Sequence, residues 1–130
     1  MRLRTNKKLA LSFLISVFAT LEGLSQTTFD ERLVSTEKEL NFYFTDKRGI
    51  QGEKGIVFFV ERDGQTLTAY TGEKIKWTVN IIKVCGEPAV GKPAIRYLKL
   101  TKDKIEITFG KHSFASVDIA DGKTKYLGAD

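Results

Sequence analysis

A single cysteine and a single histidine occur in the 130 residues, and that scarcity removes several kinds of chemistry at once. Cys85 has no partner for an internal disulfide, although small exported domains often depend on such bonds. One Cys and one His fall short of the ligand set of a zinc site, so no metal and no cofactor is expected. The two prolines, Pro88 and Pro93, lie in one segment. The rest of the chain is therefore free of the residue that breaks strand ladders. No uninterrupted apolar run approaches the roughly 20 residues that a spanning helix needs.

The first 25 residues read as a cleaved signal peptide. Arg2, Arg4, Lys7 and Lys8 make a basic start, and Leu9 to Leu21 is a run of 13 residues broken only by Ser12, Ser16 and Thr20. That length fits an export core of about 7–15 residues. Gly23 and Ser25 are small residues two apart, so cleavage is expected between Ser25 and Gln26. No Cys follows the run, which argues against a lipoprotein anchor, and no membrane anchor is expected after cleavage. A bacterial secretory route to the periplasm or the exterior is the expected destination.

The formal charge of +5 then loses its meaning. Four of the 21 basic and one of the 16 acidic residues lie in residues 1–25, leaving 17 against 15. A nearly neutral chain gives no footing for nucleic-acid binding. The remaining 105 residues suffice for one domain with a modest core.

Beyond residue 40 the pattern is that of strands. Leu40, Phe42 and Phe44 alternate with polar neighbours. Ile56 to Val60 is continuously apolar, as in a strand covered on both faces. Leu67 and Ala69 alternate, as do Ile75, Trp77, Val79 and Ile81. The pattern then slips by one to Ile82 and Val84, as a bulge would make it do. Residues 95–100, 105–109, 113–119 and 123–127 complete the set. Asp63-Gly64 and Asp121-Gly122 suit type I′ hairpins, and Gly110-Lys111 suits type II′. Thr101 to Asp103 is a weaker turn, and Lys47 to Lys54 and Gly86 to Pro93 are longer loops. Residues 26–39 have poor apolar spacing, consistent with a short helix or a disordered lead-in. The expected fold is all-β: an antiparallel meander of about seven or eight strands over residues 40–130, closed as a small sandwich or barrel.

The tail VDIADGKTKY, residues 117–126, resembles the blade-closing motif of quinoprotein-type (PQQ-like) β-propellers. In that family an aspartate precedes a Gly-containing turn, and a Trp follows the Gly by four. Asp118, Gly122 and Tyr126 keep this spacing, with Tyr in place of Trp. YTGEKIKW, residues 70–77, is similar, with Trp77 five after Gly72. The two aromatic positions are 49 residues apart, roughly a blade length. The resemblance spans at most residues 55–127, two blade equivalents, whereas a closed propeller needs at least about four. It implies either two blade-like meanders packed face to face or ordinary hairpin chemistry. Its motif residues are structural, so it implies no functional residue.

No catalytic constellation is visible, and a non-catalytic role is expected. His112 and Cys85 lie on different hairpins. Ser113 follows His112 directly and points to the opposite face of a strand. His112 and Asp118 share a face, but six residues of strand separate them by about 20 Å. Asp118, Asp121 and Gly122 lack the odd-position spacing of a calcium loop. Glu37, Glu39, Asp46 and Glu53 could form a carboxylate pair for glycoside cleavage only if the fold assembled one. Lys74, Lys76, Lys99, Lys104, Lys123 and Lys125 sit on outer or terminal strand positions. There they either discourage edge pairing or meet an anionic ligand.

Two functional classes follow. One is a protein-interaction or accessory module, lending an edge strand to a partner. The alternative is a small-molecule or glycan binder, with Phe42, Phe44, Phe58, Trp77 and Phe109 partly lining a cavity of a few hundred cubic ångströms. The export reading has a direct check. The intact mass of the secreted protein should correspond to a chain starting at Gln26, and a retained Met1 would reject the signal.

Overall fold

The structure, a computed structural model, describes residues 29–130. The export segment and its cleavage site lie outside the described residues. Ten strands among the described residues form two five-stranded sheets, so the fold is an all-β sandwich and not a closed barrel. The first sheet holds β1 (Val34–Ser35), β3 (Gly49–Gln51), β4 (Ile56–Val60), β5 (Thr66–Thr71) and β6 (Lys74–Asn80), in the order β1-β3-β4-β5-β6. The second holds β2 (Glu39–Asn41), β7 (Ile95–Leu100), β8 (Lys104–Phe109), β9 (Ser113–Asp118) and β10 (Thr124–Ala129), in the order β10-β9-β8-β7-β2.

Each sheet is a run of four consecutive antiparallel strands or their continuation, with one short strand added from the N-terminal part. The pairing of β1 with β3 is parallel, Val34 opposite Gly49 and Ser35 opposite Ile50, which departs from an all-antiparallel meander. The stretch read as a loop, residues 47–54, contains β3. A 3-10 turn, Glu31–Leu33, precedes β1. Its Asp30 cap accepts a hydrogen bond from the Arg32 amide at 3.0 Å.

Alternation explains the core. Phe58 and Val60 of β4 point between the sheets with Leu67 and Ala69 of β5, and meet Leu98, Ile105, Ile107 and Phe109 from the other side. The unbroken apolar run of β4 has a cause on its other face. Phe59 is buried there because Phe29 lies over it, with ring centroids 5.6 Å apart, and over Tyr70 at 4.8 Å.

Four local readings are corrected. The slip at Ile82 and Val84 is not a bulge but a short helix, α1 (Ile81–Cys85). Asn80 caps it, accepting from the Lys83 amide at 3.0 Å, as short polar residues do at a helix start. The bulge falls earlier, where the β5–β6 register shifts between Ala69 and Tyr70. The Asp-Gly hairpins are not type I′, because neither Asp63 nor Asp121 has a positive φ. Both loops are longer than two residues, closed by Glu61 to Thr66 and by Asp118 to Lys123, and each Asp accepts backbone N–H groups within its own turn. Gly110-Lys111 belongs to a three-residue loop, since Phe109 pairs with Ser113. Finally, β2 ends at Asn41, whose side chain accepts from the Tyr43 amide at 3.1 Å and turns the chain. Phe42 is partly buried, while Tyr43 and Phe44 stand in solvent.

The two motif-bearing stretches meet. Trp77, on the edge strand β6, donates its indole N–H to the Ile119 carbonyl at 2.8 Å. Its ring lies against Gly122 of the β9–β10 turn. A Cβ at Gly122 would stand 2.7 Å from indole Cδ2, and the residue has φ +79°. Gly122→Ala should therefore destabilise the domain by about 2–4 kcal/mol, from left-handed strain and overpacking combined. Trp77→Phe should cost about 1–3 kcal/mol through the orphaned carbonyl and lost packing. In urea unfolding the double variant should cost clearly less than the two together; additive losses would show that ring and glycine do not meet.

Candidate functional site

The residues singled out by their chemistry are dispersed. His112 is exposed in the β8–β9 loop and Ser113 is buried. Cys85 is a free, partly buried thiol at the end of α1, and burial pushes its pKa up, so it stays protonated. Among the described residues no hydrogen bond joins it to His112. Asp118 accepts the Lys104 ammonium at 2.7 Å, and Asp121 holds its own turn through the Lys123 amide at 2.9 Å. Glu37, Glu39, Asp46 and Glu53 fall on four separate segments. Glu39 faces Lys99 at 3.9 Å. Among the described residues no group of three or more His, Cys, Asp or Glu is placed to hold a metal ion.

The aromatics divide similarly. Phe58, Trp77 and Phe109 are core residues. Phe42 lies under the Arg48 guanidinium, 4.9 Å from its ring centroid, and Phe44 is 84% exposed. Phe58 also lines a cavity.

That cavity is a cleft of about 520 Å³ between the two sheets, at the end of the sandwich opposite α1. Ile56 and Phe58 of β4 face Leu100, at the end of β7, and Ile119, just after β9. Gly52 passes directly over the ring of Phe58 and helps to bury it, so the ring forms the floor beneath Ile56, Leu100 and Ile119. A Cβ at Gly52 would come within 2.7 Å of ring atom Cε2. Gly52 donates to the Ile56 carbonyl at 2.7 Å, closing the loop above the ring.

The rim is charged. Lys38, Lys54, Lys76 and Lys102 surround the cleft, with Glu53 and Asp103 among them. All four lysines are exposed, and among the described residues none lies in an ion pair. Lys38 is brought there by its carbonyl, which accepts from the Leu100 amide at 2.8 Å. Lys54 is the one described non-glycine residue with a positive φ, +57°, a conformation that costs an L-residue about 1–2 kcal/mol. Lys76 was the one rim lysine expected from strand pattern. Lys38, Lys54 and Lys102 lie in turns, where a lone lysine ordinarily marks a solvated loop, so spacing gave no signal of their convergence.

The back wall is the core staple. Ile119 lines the cleft and accepts the Trp77 hydrogen bond, and Phe58 lies 6.0 Å from the Trp77 ring, centroid to centroid. The only tryptophan of the chain is thus one layer behind the cleft surface.

A second concavity, of about 630 Å³, lies on the outer face of the second sheet, among Tyr97, Thr108, Phe114, Ser116 and Leu127. Its Lys104 is already paired with Asp118.

Compared with protein-family models, curated proteins and solved structures, the chain matches none.

Away from both cavities, Tyr70 donates its hydroxyl to Glu61 Oε2 at 2.8 Å. Burial, then the hydrogen bond to and charge of Glu61, push its pKa up to about 12. Because the folded value lies above the ordinary value of 10.0, the neutral hydroxyl stabilises the fold. That contribution is complete below pH of about 10 and is lost as pH rises through about 12. Tyrosinate absorbance should show one of the four tyrosines ionising last, and Tyr70→Phe should remove both that step and the matching loss of stability. A titration unchanged by the substitution would reject the assignment.

Proposed function

We propose that the chain is a non-catalytic binding module, exported as residues 1–25 imply, whose ligand sits in the cleft between the sheets. The observation that carries this reading is the cleft itself: half-buried Ile56, Leu100 and Ile119 lining an opening between the sheets under a ring of unpaired lysines. A sandwich normally closes its ends, and leaving Ile56, Leu100 and Ile119 half-exposed at this one has an apolar cost that a ligand would relieve. The volume lies within the usual range for small-molecule sites, about 300–1,000 Å³. In this reading the two motif stretches, residues 70–77 and 117–126, serve as the staple behind the site.

The geometry gives strand lending less support. The long outer strands are β6 and β10. β6 carries Lys74 and Lys76 beside its register shift, and β10 carries Lys125 and a shift between Tyr126 and Gly128. Charge and irregularity on an edge both oppose pairing with another chain. A protein contact is instead favoured at the far end, where Tyr43 and Phe44 are 69% and 84% exposed.

Amide chemical shifts should locate the site when a panel of sugars, nucleotides, peptides and single-chain lipids is added. Shifts should centre on residues 52–58, 100–103 and 119–120. Shifts confined to the edge of β6 or β10, or to residues 42–48 with a protein partner, would replace the cleft with an interaction surface.

A further inference from the structure

We propose that the ligand of the cleft is a monomeric anionic amphiphile: one alkyl chain ending in a carboxylate or phosphate. This rests on the reading of the cleft as the binding site and names the chemistry that fits it. Two halves of the lining make separate demands. The inner half is Ile56, Phe58, Leu100 and Ile119, which offers packing and no side-chain hydrogen-bonding group. A sugar or nucleotide buried there would lose its hydrogen bonds to water without replacement, whereas an alkyl chain loses none.

The outer half is ionic. Lys38, Lys54, Lys76 and Lys102 against Glu53 and Asp103 leave an excess of two positive charges at the mouth. The 17 basic and 15 acidic side chains of residues 26–130 leave the same net of two, so the excess at the mouth equals that of all those residues together. An excess of two suits a head group of one or two negative charges. It gives little hold on a polyanion and opposes a cationic head. Lysine, as a flexible point charge, accepts carboxylate and phosphate alike, so the two heads share one chemistry here. The orientation follows: the tail against Ile56, Leu100 and Ile119, the head among the lysines.

The test uses the mature chain, residues 26–130, with dodecanoate, dodecyl phosphate, dodecyl maltoside and dodecyltrimethylammonium, each kept below its micelle concentration. Calorimetry reads affinity, and the emission of Trp77, one layer behind the floor, reads occupancy. Both anionic chains should bind and change the emission. The neutral and cationic chains should bind at least about tenfold more weakly. Shortening the alkyl phosphate should weaken binding about two- to fourfold per CH₂ removed. Lys54→Glu combined with Lys76→Glu should weaken dodecyl phosphate about tenfold or more, against a few-fold for an alanine at one rim site. These surface substitutions leave the core intact, and the thermal transition verifies it.

Equal binding of the cationic chain, an affinity independent of chain length, or saturation by inorganic phosphate alone would overturn the proposal. So would binding only to anionic vesicles, which would place the lysines on a membrane surface. If no dodecyl chain binds while another ligand shifts cleft amides, the amphiphile falls and the binding module stands. If nothing shifts them, both fall.

Discussion

The contact between the Trp77 indole and the β9–β10 turn governs this domain. One edge strand of the first sheet reaches across to the second. Its ring fills the space above Gly122 and its N–H satisfies the Ile119 carbonyl at 2.8 Å. Two sheets of five strands are held together mostly by side-chain packing, which is non-directional, with the Ile95 amide donating to the Gly64 carbonyl at 2.8 Å near the α1 end. A buried hydrogen bond with a ring wedged against a backbone adds direction, and so sets where one sheet stands over the other. The same contact places Ile119, and with it one wall of the cleft.

The two ends of the sandwich are finished differently. At one end α1 packs against β5, β6 and β10, and its Ile81 and Ile82 seal the core. At the other, only turns meet: the loop through Gly52 to Gly55, the β7–β8 turn, and the start of the β9–β10 turn. Turns are polar and short, and they do not seal every apolar side chain at an end as a helix does. Gly52 covers the ring of Phe58, but Ile56, Leu100 and Ile119 stay half-buried at the opening, and the lysines gather around them. An apolar floor under a cationic rim is therefore a product of how the ends close.

Much of the fold was legible because strands announce themselves locally. The period-two pattern at Leu67 to Ala69 and Ile75 to Val79, and the turn residues between them, depend on neighbours a few residues away. An all-β domain closed as a sandwich or a barrel follows from that pattern and from a length too small for one open sheet, and the two separate sheets make it a sandwich. The short strands β1 and β3 did not show, since two or three residues carry no period, and β2 was read too long, through Phe44. The helix α1 was misread because five residues of Ile-Ile-Lys-Val-Cys suit a strand by composition, and only the Asn80 cap hinted otherwise. The Asp-Gly turns were misassigned because Asp stabilises a turn equally well by accepting its own following amides.

The amino-acid sequence alone determined the class of the domain, the expected export signal, the near-neutral charge of the remainder, and the scarcity of nucleophile and metal-ligand chemistry. Each depends on residue type or on spacing along a few residues of chain. Only the tertiary structure decided which lysines act together. Lys38, Lys54, Lys76 and Lys102 come from four segments, on both sheets, and nothing in their spacing links them. The parallel pairing of β1 with β3, the cover of Phe29 over β4, and the docking of Trp77 on Gly122 were decided there too. The physical reason is the same throughout: local pattern selects a strand and its faces, but which faces and turns converge depends on long-range packing that closes only when both sheets are in place.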